Sequence, residues 1–330
     1  GVYRDFSEIS DIDWEGASQP TYFPFFTNAL STAPYRVTVE NVAAPHGSVY
    51  FPGQLVPNSQ DASVANASFA QDICLVPEND VRTHTFYYYQ PDVLLRGDEA
   101  RVPEAQQTES LYRDFVTRQY LGVPEGFEQS IASWWKDAQP LCEAYSPSVD
   151  AIPEPYRQRI AAAWTVAYLL DQTAQYDAET PAVPAGEDFV SYFLNQSRRG
   201  YCMHFASAAT LLLRSIGIPA RYVSGYAVTA AEAGTVEVPD SAAHAWVEIY
   251  LDGYGWHPVE VTPVAGVEIP VSTPEEPDEQ NQPAVPDTQP EPEPVEEEPE
   301  PVDEQPDISL EDAQPPAKEW PRWLSAMLAV

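Results

Sequence analysis

Residues 202–215, CMHFASAATLLLRS, repeat their apolar members at helical spacing, and Gly217 and Pro219 close the run. Three strand-like segments follow: ARYVSGYAV (220–228), HAWVEIYL (244–251) and GWHPVEV (255–261). One apolar helix leading straight into strands buries both by packing the helix on an antiparallel sheet. This stretch therefore predicts an α+β unit. Just upstream, Asp188 is placed to cap a short helix carrying Phe189, Val190 and Phe193, which closes near Arg198, Arg199 and Gly200.

The rest of the chain divides around that unit. Residues 1–100 read as a β-rich module. In PYRVTVENV (34–42) Tyr35, Val37 and Val39 share a face, THTFYYYQPDVLL (83–95) is a second extended run, and Pro and Gly mark turns between them. Residues 101–186 are helical: Tyr112, Val116 and Tyr120 follow one stripe, Phe127, Ile131, Trp134 and Trp135 a second, and Ile160, Trp164, Ala167 and Tyr168 a third. Residues 187–266 hold the helix and its strands. Residues 267–318 are rich in Pro, Glu and Gln, with no Lys or Arg between Glu268 and Asp312, and are expected to be an extended, disordered spacer. Residues 319–330, EWPRWLSAMLAV, place tryptophans and an arginine before apolar residues, as at a membrane interface, and read as the start of a truncated transmembrane helix. With Gly1 in place of an initiating Met, the chain is expected to be an excised piece of a longer membrane-anchored protein.

Charge excludes one class of partner. There are 51 Asp and Glu against 16 Lys and Arg, a net charge of -35, whereas nucleic-acid binding needs clustered cations. The three cysteines, Cys74, Cys142 and Cys202, are too few and too scattered for a disulfide scaffold or a four-cysteine zinc site; Cys74 and Cys142 are the pair that an oxidising compartment would join.

Cys202 admits two readings. It shares a helix face with Phe205, Ala209, Leu213 and Ile216, which suits a buried thiol. It also lies in the first helical turn, where free N–H groups and the helix dipole favour a thiolate, with Arg198 and Arg199 close in sequence. A nucleophilic thiolate needs a base, and the base needs an orienting group. His46 and His84 fall in the β-rich module, His204 projects about 200° around the helix from Cys202, and His257 points to the opposite strand face from Glu260. His244 opens a strand behind two small alanines, and an antiparallel pairing across DGYG (252–255) sets Glu260 beside it. A metal site drawn from Cys202, His204, His244 or His257 is a rival, opposed by the divergence of Cys202 and His204 around the helix.

Taken in order, GYCMHFASAATLLLRSIGIPARYVSGY and HAWVEIYLDGYGWHPVEVTP resemble the core of the transglutaminase-like superfamily, within the papain-like cysteine peptidase fold. The shared features are a Gly-aromatic-Cys at a helix start, a Gly-Ile-Pro-Ala-Arg turn, a His-Ala-Trp strand, and a Gly-Trp strand with a carboxylate before Thr-Pro. The resemblance implies Cys202 as nucleophile, His244 as general base and Glu260 as orienting acid, with no cofactor. Glu260 stands where the family more often has Asp, and Met203 where a Glu often follows the cysteine. The second oxyanion donor, beside the Cys202 N–H, is expected to be an aromatic such as Trp164 or Tyr201. The expected reaction is acyl transfer on amide bonds of a protein or peptide substrate through a thioester, at the extracytoplasmic face of a bacterial membrane. Hydrolysis is slightly favoured. Transamidation, as in a transglutaminase, and a catalytically idle envelope module are the alternatives.

Overall fold

In a computed structural model of the chain, the described residues are 35–43, 49–51, 54–55, 67–70, 74–77, 82–89, 103–228, 234–263 and 273–274. The first five strands are β1 (Tyr35–Glu40), β2 (Gln54–Leu55), β3 (Ala67–Ala70), β4 (Cys74–Pro77) and β5 (Thr83–Tyr89). β5 pairs antiparallel with both β1 and β2, and β3 pairs with β4. On β1, Val37 and Val39 are half-buried while Arg36, Thr38 and Glu40 are exposed, the alternation a strand with one covered face requires.

Helices α1 (Pro103–Gln119), α2 (Phe127–Ser130), α3 (Ala132–Ala144) and α4 (Glu154–Thr173) follow. Ile131 separates α2 from α3 and is itself fully buried, so the break in the backbone does not break the apolar stripe. β6 (Gln175–Tyr176) leads to α5 (Phe189–Tyr192) and a π-turn over Phe193–Ser197, then to β7 (Arg199–Gly200), which lies parallel to β6. The Asp188 carboxylate accepts the Ser191 N–H at 2.8 Å and caps α5 as its sequence position predicts. α6 (Cys202–Ser215) then enters β8 (Ala220–Tyr226). β9 (Gly234–Thr235), β10 (Ala243–Leu251), β11 (Gly255–Val259) and β12 (Thr273–Pro274) complete the order. The main sheet is antiparallel, β11-β10-β8, with Tyr250 opposite Trp256 and His244 opposite Gly225.

Alternation along β10 explains why the sheet is covered on both faces. Ala245, Val247, Ile249 and Leu251 are buried in one cluster with α6 residues Phe205, Ala209 and Leu213, and with residues of α3 and α4 such as Trp134, Ile160 and Leu169. Tyr250 and its neighbour Trp256 enter a second cluster with Tyr112, Phe115, Val116 and Tyr120, so α1 covers the opposite face. The tryptophan stripe at 134–135 is core, with Trp134 Nε1–H donating to Thr173 Oγ1 at 2.9 Å.

A buried carboxylate fastens α1 to the β10–β11 turn. Glu109 accepts the Tyr250 hydroxyl at 2.9 Å and the Gly253 N–H at 2.8 Å. Arg159 reaches the same turn and binds the Tyr250 carbonyl at 2.7 Å and the Asp252 carboxylate at 2.6 Å. Removing Glu109 would strand two buried donors, at about 1–3 kcal/mol each.

Cys142 is a free thiol buried within α3, among the core residues that hold Trp134 and Ala138, so it is not joined to Cys74. Burial, and then the nearby Glu143 charge, push its pKa up, which leaves it inert. Among the described residues, no helix is long and apolar enough to cross a membrane. The acidic spacer, apart from Thr273–Pro274, and the segment 319–330 lie outside the described residues.

Candidate active site

Three elements converge on Cys202. It is the first residue of α6, so its own N–H has no intrahelical acceptor. The side chain is half-buried beside the core cluster. It hydrogen-bonds the His244 side chain and also receives the backbone N–H groups of Ala245 and Met203. Burial pushes the thiol up, but these hydrogen bonds and the His244 charge outweigh it, and the pKa lies below that of an ordinary thiol.

His244 is the second residue of β10 and is nearly buried. Its Nε2 lies 2.7 Å from Glu260 Oε2. With that nitrogen committed, Nδ1 is the one left to face Cys202. The hydrogen bonds to Cys202 and Glu260 raise its pKa to about 9, against the opposing effect of burial. Both shifts favour imidazolium beside thiolate, and the pair titrates as a unit.

Glu260 sits one residue beyond the last ladder pair, Val247 with Val259. Its Oε1 accepts the N–H groups of Val261 at 2.9 Å and Thr262 at 2.7 Å, while Oε2 holds the imidazole. The side chain thus folds back onto its own backbone, which takes up the methylene that distinguishes Glu from Asp. Burial raises its pKa, but the His244 bond and the Thr262 contacts bring it below the usual carboxylate value. The outcome is a charged carboxylate aimed at one imidazole nitrogen.

The remaining sequence candidates separate. Tyr201 is the N-cap of α6, and its ring meets His204 edge-on with centroids 4.7 Å apart. Trp164 is half-buried and packs against the core cluster from α4. His204 turns away from Cys202 into an aromatic pocket, stacked on Phe189 at 4.4 Å, and its Nδ1 accepts the Tyr201 N–H at 3.3 Å. Burial holds its pKa below the usual value, so it stays neutral. His257 is likewise lowered, to about 4, by burial. Among the described residues, no group of three His, Cys, Asp or Glu side chains is arranged to hold a metal ion. Arg198 and Arg199 are engaged elsewhere, with Asp137 at 2.6 Å and Asp177 at 2.7 Å, and neither acts on the Cys202 thiol.

Four more residues shape the site: Gly200 and Trp246 stand in the sequence motif without a site role, and Tyr176 and Tyr222 are not singled out in the sequence. Gly200 is buried, and a Cβ on it would lie 2.6 Å from His204 Cβ and Cγ, so the glycine of Gly-Tyr-Cys is required by His204. Trp246 lies over Gly225, where a Cβ would meet its ring at 3.1 Å, and it stacks beside His244 at 6.3 Å. Tyr176 and Tyr222 both interact electrostatically with Cys202. The arrangement can form a thiolate, protonate a leaving group and hold the imidazole in one orientation, which are the requirements of nucleophilic acyl transfer.

A family model covers the stretch that holds all three residues. Residues 149–261 match the model of the transglutaminase-like superfamily. The uncharacterized protein YebA of Bacillus subtilis is 42% identical over 102 residues, which cover 29% of this chain and 14% of that protein. A protein-glutamine gamma-glutamyltransferase of Pseudomonas aeruginosa is 32% identical over 186 residues, covering 49% and 27% respectively. The matched stretches thus span about a quarter or less of these relatives' own length. Among solved structures, the periplasmic domain of TgpA from Pseudomonas aeruginosa matches at 21% identity and a TM-score of 0.41, over 71% of this chain and 73% of that one.

Proposed function

From the premise that residues 149–261 form a transglutaminase-like domain, we propose that this chain is a thiol-dependent acyl-transfer enzyme acting on amide bonds of proteins or peptides. Cys202 is the nucleophile, His244 the general acid and base, and Glu260 the group that orients and charges the imidazole. The observation that carries the reading is the continuous relay from the Cys202 thiol through His244 to Glu260. In the first half-reaction the Cys202 sulfur attacks the amide carbon. The C–N bond then breaks, and the departing nitrogen takes the His244 proton. Water, deprotonated by His244, resolves the thioester in the second half. The Cys202 N–H, free in the first helical turn, is one donor to the oxyanion.

A second reading has an amine resolve the thioester. The name of the Pseudomonas relative, protein-glutamine gamma-glutamyltransferase, favours it. The Cys202–His244–Glu260 relay serves either acceptor, because both meet the same acyl-enzyme.

Iodoacetamide alkylation of the native chain across pH, read at the Cys202 peptide by mass spectrometry, tests the activated thiol. The expected labelling midpoint is below that of a free thiol, about 8.5. A midpoint at or above that value would overturn the enzyme reading in favour of an idle binding module. Incubating the chain with a glutamine peptide, with and without a primary amine, then separates the acceptors. Conversion of the glutamine side chain to glutamate supports water; incorporation of the amine outrunning it supports transamidation.

The reading keeps an extracytoplasmic location, for which the acidic spacer and the tryptophan-rich apolar segment 319–330 are the sequence grounds. A full-length fusion to alkaline phosphatase checks it: the phosphatase is active if the domain is exported and silent if it is not.

A further inference from the structure

Two phenol hydroxyls beside Cys202 have no part in the relay through His244. Tyr176 lies on β6, whose parallel pairing with β7 sets it level with Gly200, two residues before Cys202. The Asp177 N–H donates to the Gly200 carbonyl at 2.7 Å and the Gln175 N–H to the Arg198 carbonyl at 2.8 Å, so the strand is fixed on both sides of Tyr176. Tyr222 comes from a different element, β8, where it opposes Val247, three residues along β10 from His244. Both rings are half-buried and pack against the same core cluster as Cys202. Among the described residues neither hydroxyl has a hydrogen-bond partner. Neither oxygen is sealed from solvent, so each can bond a molecule that enters beside the thiol.

We propose that Tyr176 and Tyr222 are substrate-binding residues of the acyl-transfer site, whose hydroxyls donate to the carbonyl oxygen of the acyl group as Cys202 attacks it. The inference rests on the reaction proposed above. When the carbon–sulfur bond forms, the carbonyl π pair moves onto oxygen, and that oxygen takes hydrogen bonds from the phenols and the Cys202 N–H. When the pair returns, the C–N bond breaks and the nitrogen leaves with the His244 proton. Burial first, and then the thiolate charge, push both phenols above their usual pKa, so they remain protonated donors through the neutral range.

Tyr176→Phe and Tyr222→Phe remove one oxygen each and keep the rings. The test follows the nitrophenolate burst from 4-nitrophenyl acetate and the thioester formed from a glutamine peptide, in the whole 330-residue chain. Each variant is expected to acylate about 10-fold or more slowly, between the effect of an ordinary hydrogen bond and that of an oxyanion-hole donor. The loss should fall on kcat and kcat/KM alike, as for a contact made in the transition state. The Cys202 alkylation midpoint and the urea unfolding midpoint should not move, because neither hydroxyl bonds the sulfur or the core. Acylation at the wild-type rate in both variants overturns the inference. So does a rate loss accompanied by a shift of either midpoint, which would assign the hydroxyls to the thiolate or to packing. A wild-type chain that does not acylate overturns the proposed function itself, and this inference with it.

Discussion

His244→Ala lowers kcat/KM for acyl transfer by about 10³-fold or more, and moves the Cys202 alkylation midpoint upward. Both effects follow from what the imidazole does to the thiol. In the folded chain burial alone would raise the Cys202 pKa; the His244 hydrogen bond opposes it most strongly, and the His244 charge reinforces that bond. Without them the Ala245 and Met203 N–H groups remain, but a half-buried thiol with no cation beside it is mostly protonated at neutral pH. Loss of the proton donor to the leaving nitrogen adds a factor of about 10²–10⁴. The pH profile carries the sign. The competent pair, thiolate with protonated imidazole, exists between the lowered thiol value and about 9, where His244 gives up its proton. Wild-type activity should therefore rise through the thiol titration and fall around pH 9, and the variant should lose that alkaline fall. A variant within about 10-fold of wild type, with an unmoved midpoint, would remove His244 from the site.

Residues carrying periodic signals are legible in the sequence alone. The stripe from Phe205 to Leu213, the alternation of β10 and the Asp188 cap all appear as expected, because each is decided by neighbours within a few positions. The His244–Glu260 approach is also legible, since a tight turn at 252–255 leaves an antiparallel pairing little freedom in register. What stays hidden depends on contacts distant in sequence or on stretches too short to show a period. β6 is two residues long, so nothing local marks Tyr176 as the neighbour of Cys202. Arg198 and Arg199, which sequence proximity sets near the thiol, turn to Asp137 and Asp177 instead. In α1, Tyr112 and Val116 give an apolar stripe without its partner. That partner, Tyr250 and Trp256 on the far face of the sheet, comes from the other end of the folded region.

Gly200→Ala is expected to cost about 1–3 kcal/mol of stability, the range for overpacking a filled core, and to slow acylation about 10²-fold, as for a displaced reacting group. Gly200 has a buried backbone whose carbonyl is tied to the Asp177 N–H at 2.7 Å, so it cannot retreat without opening β6 from β7. The added Cβ would meet His204 Cβ and Cγ at 2.6 Å. His204 cannot retreat either: Phe189 stacks on it at 4.4 Å, Phe193 and Tyr201 lie at 5.4 and 4.7 Å, and its Nδ1 holds the Tyr201 N–H. The chain between the two colliding residues is Tyr201, Cys202 and Met203, so the strain is relieved by moving the nucleophile. His204→Gly deletes both atoms in the collision, at the separate cost of the stacking and of a glycine in the first helical turn. Introducing Gly200→Ala into that background should then cost less than about 1 kcal/mol in urea unfolding, since no overpacking remains, and change the acylation burst little. The coupling between the two substitutions reads the contact itself. Strict additivity would mean that Gly200 serves the turn for some reason other than His204, and that Cys202 is not positioned through it.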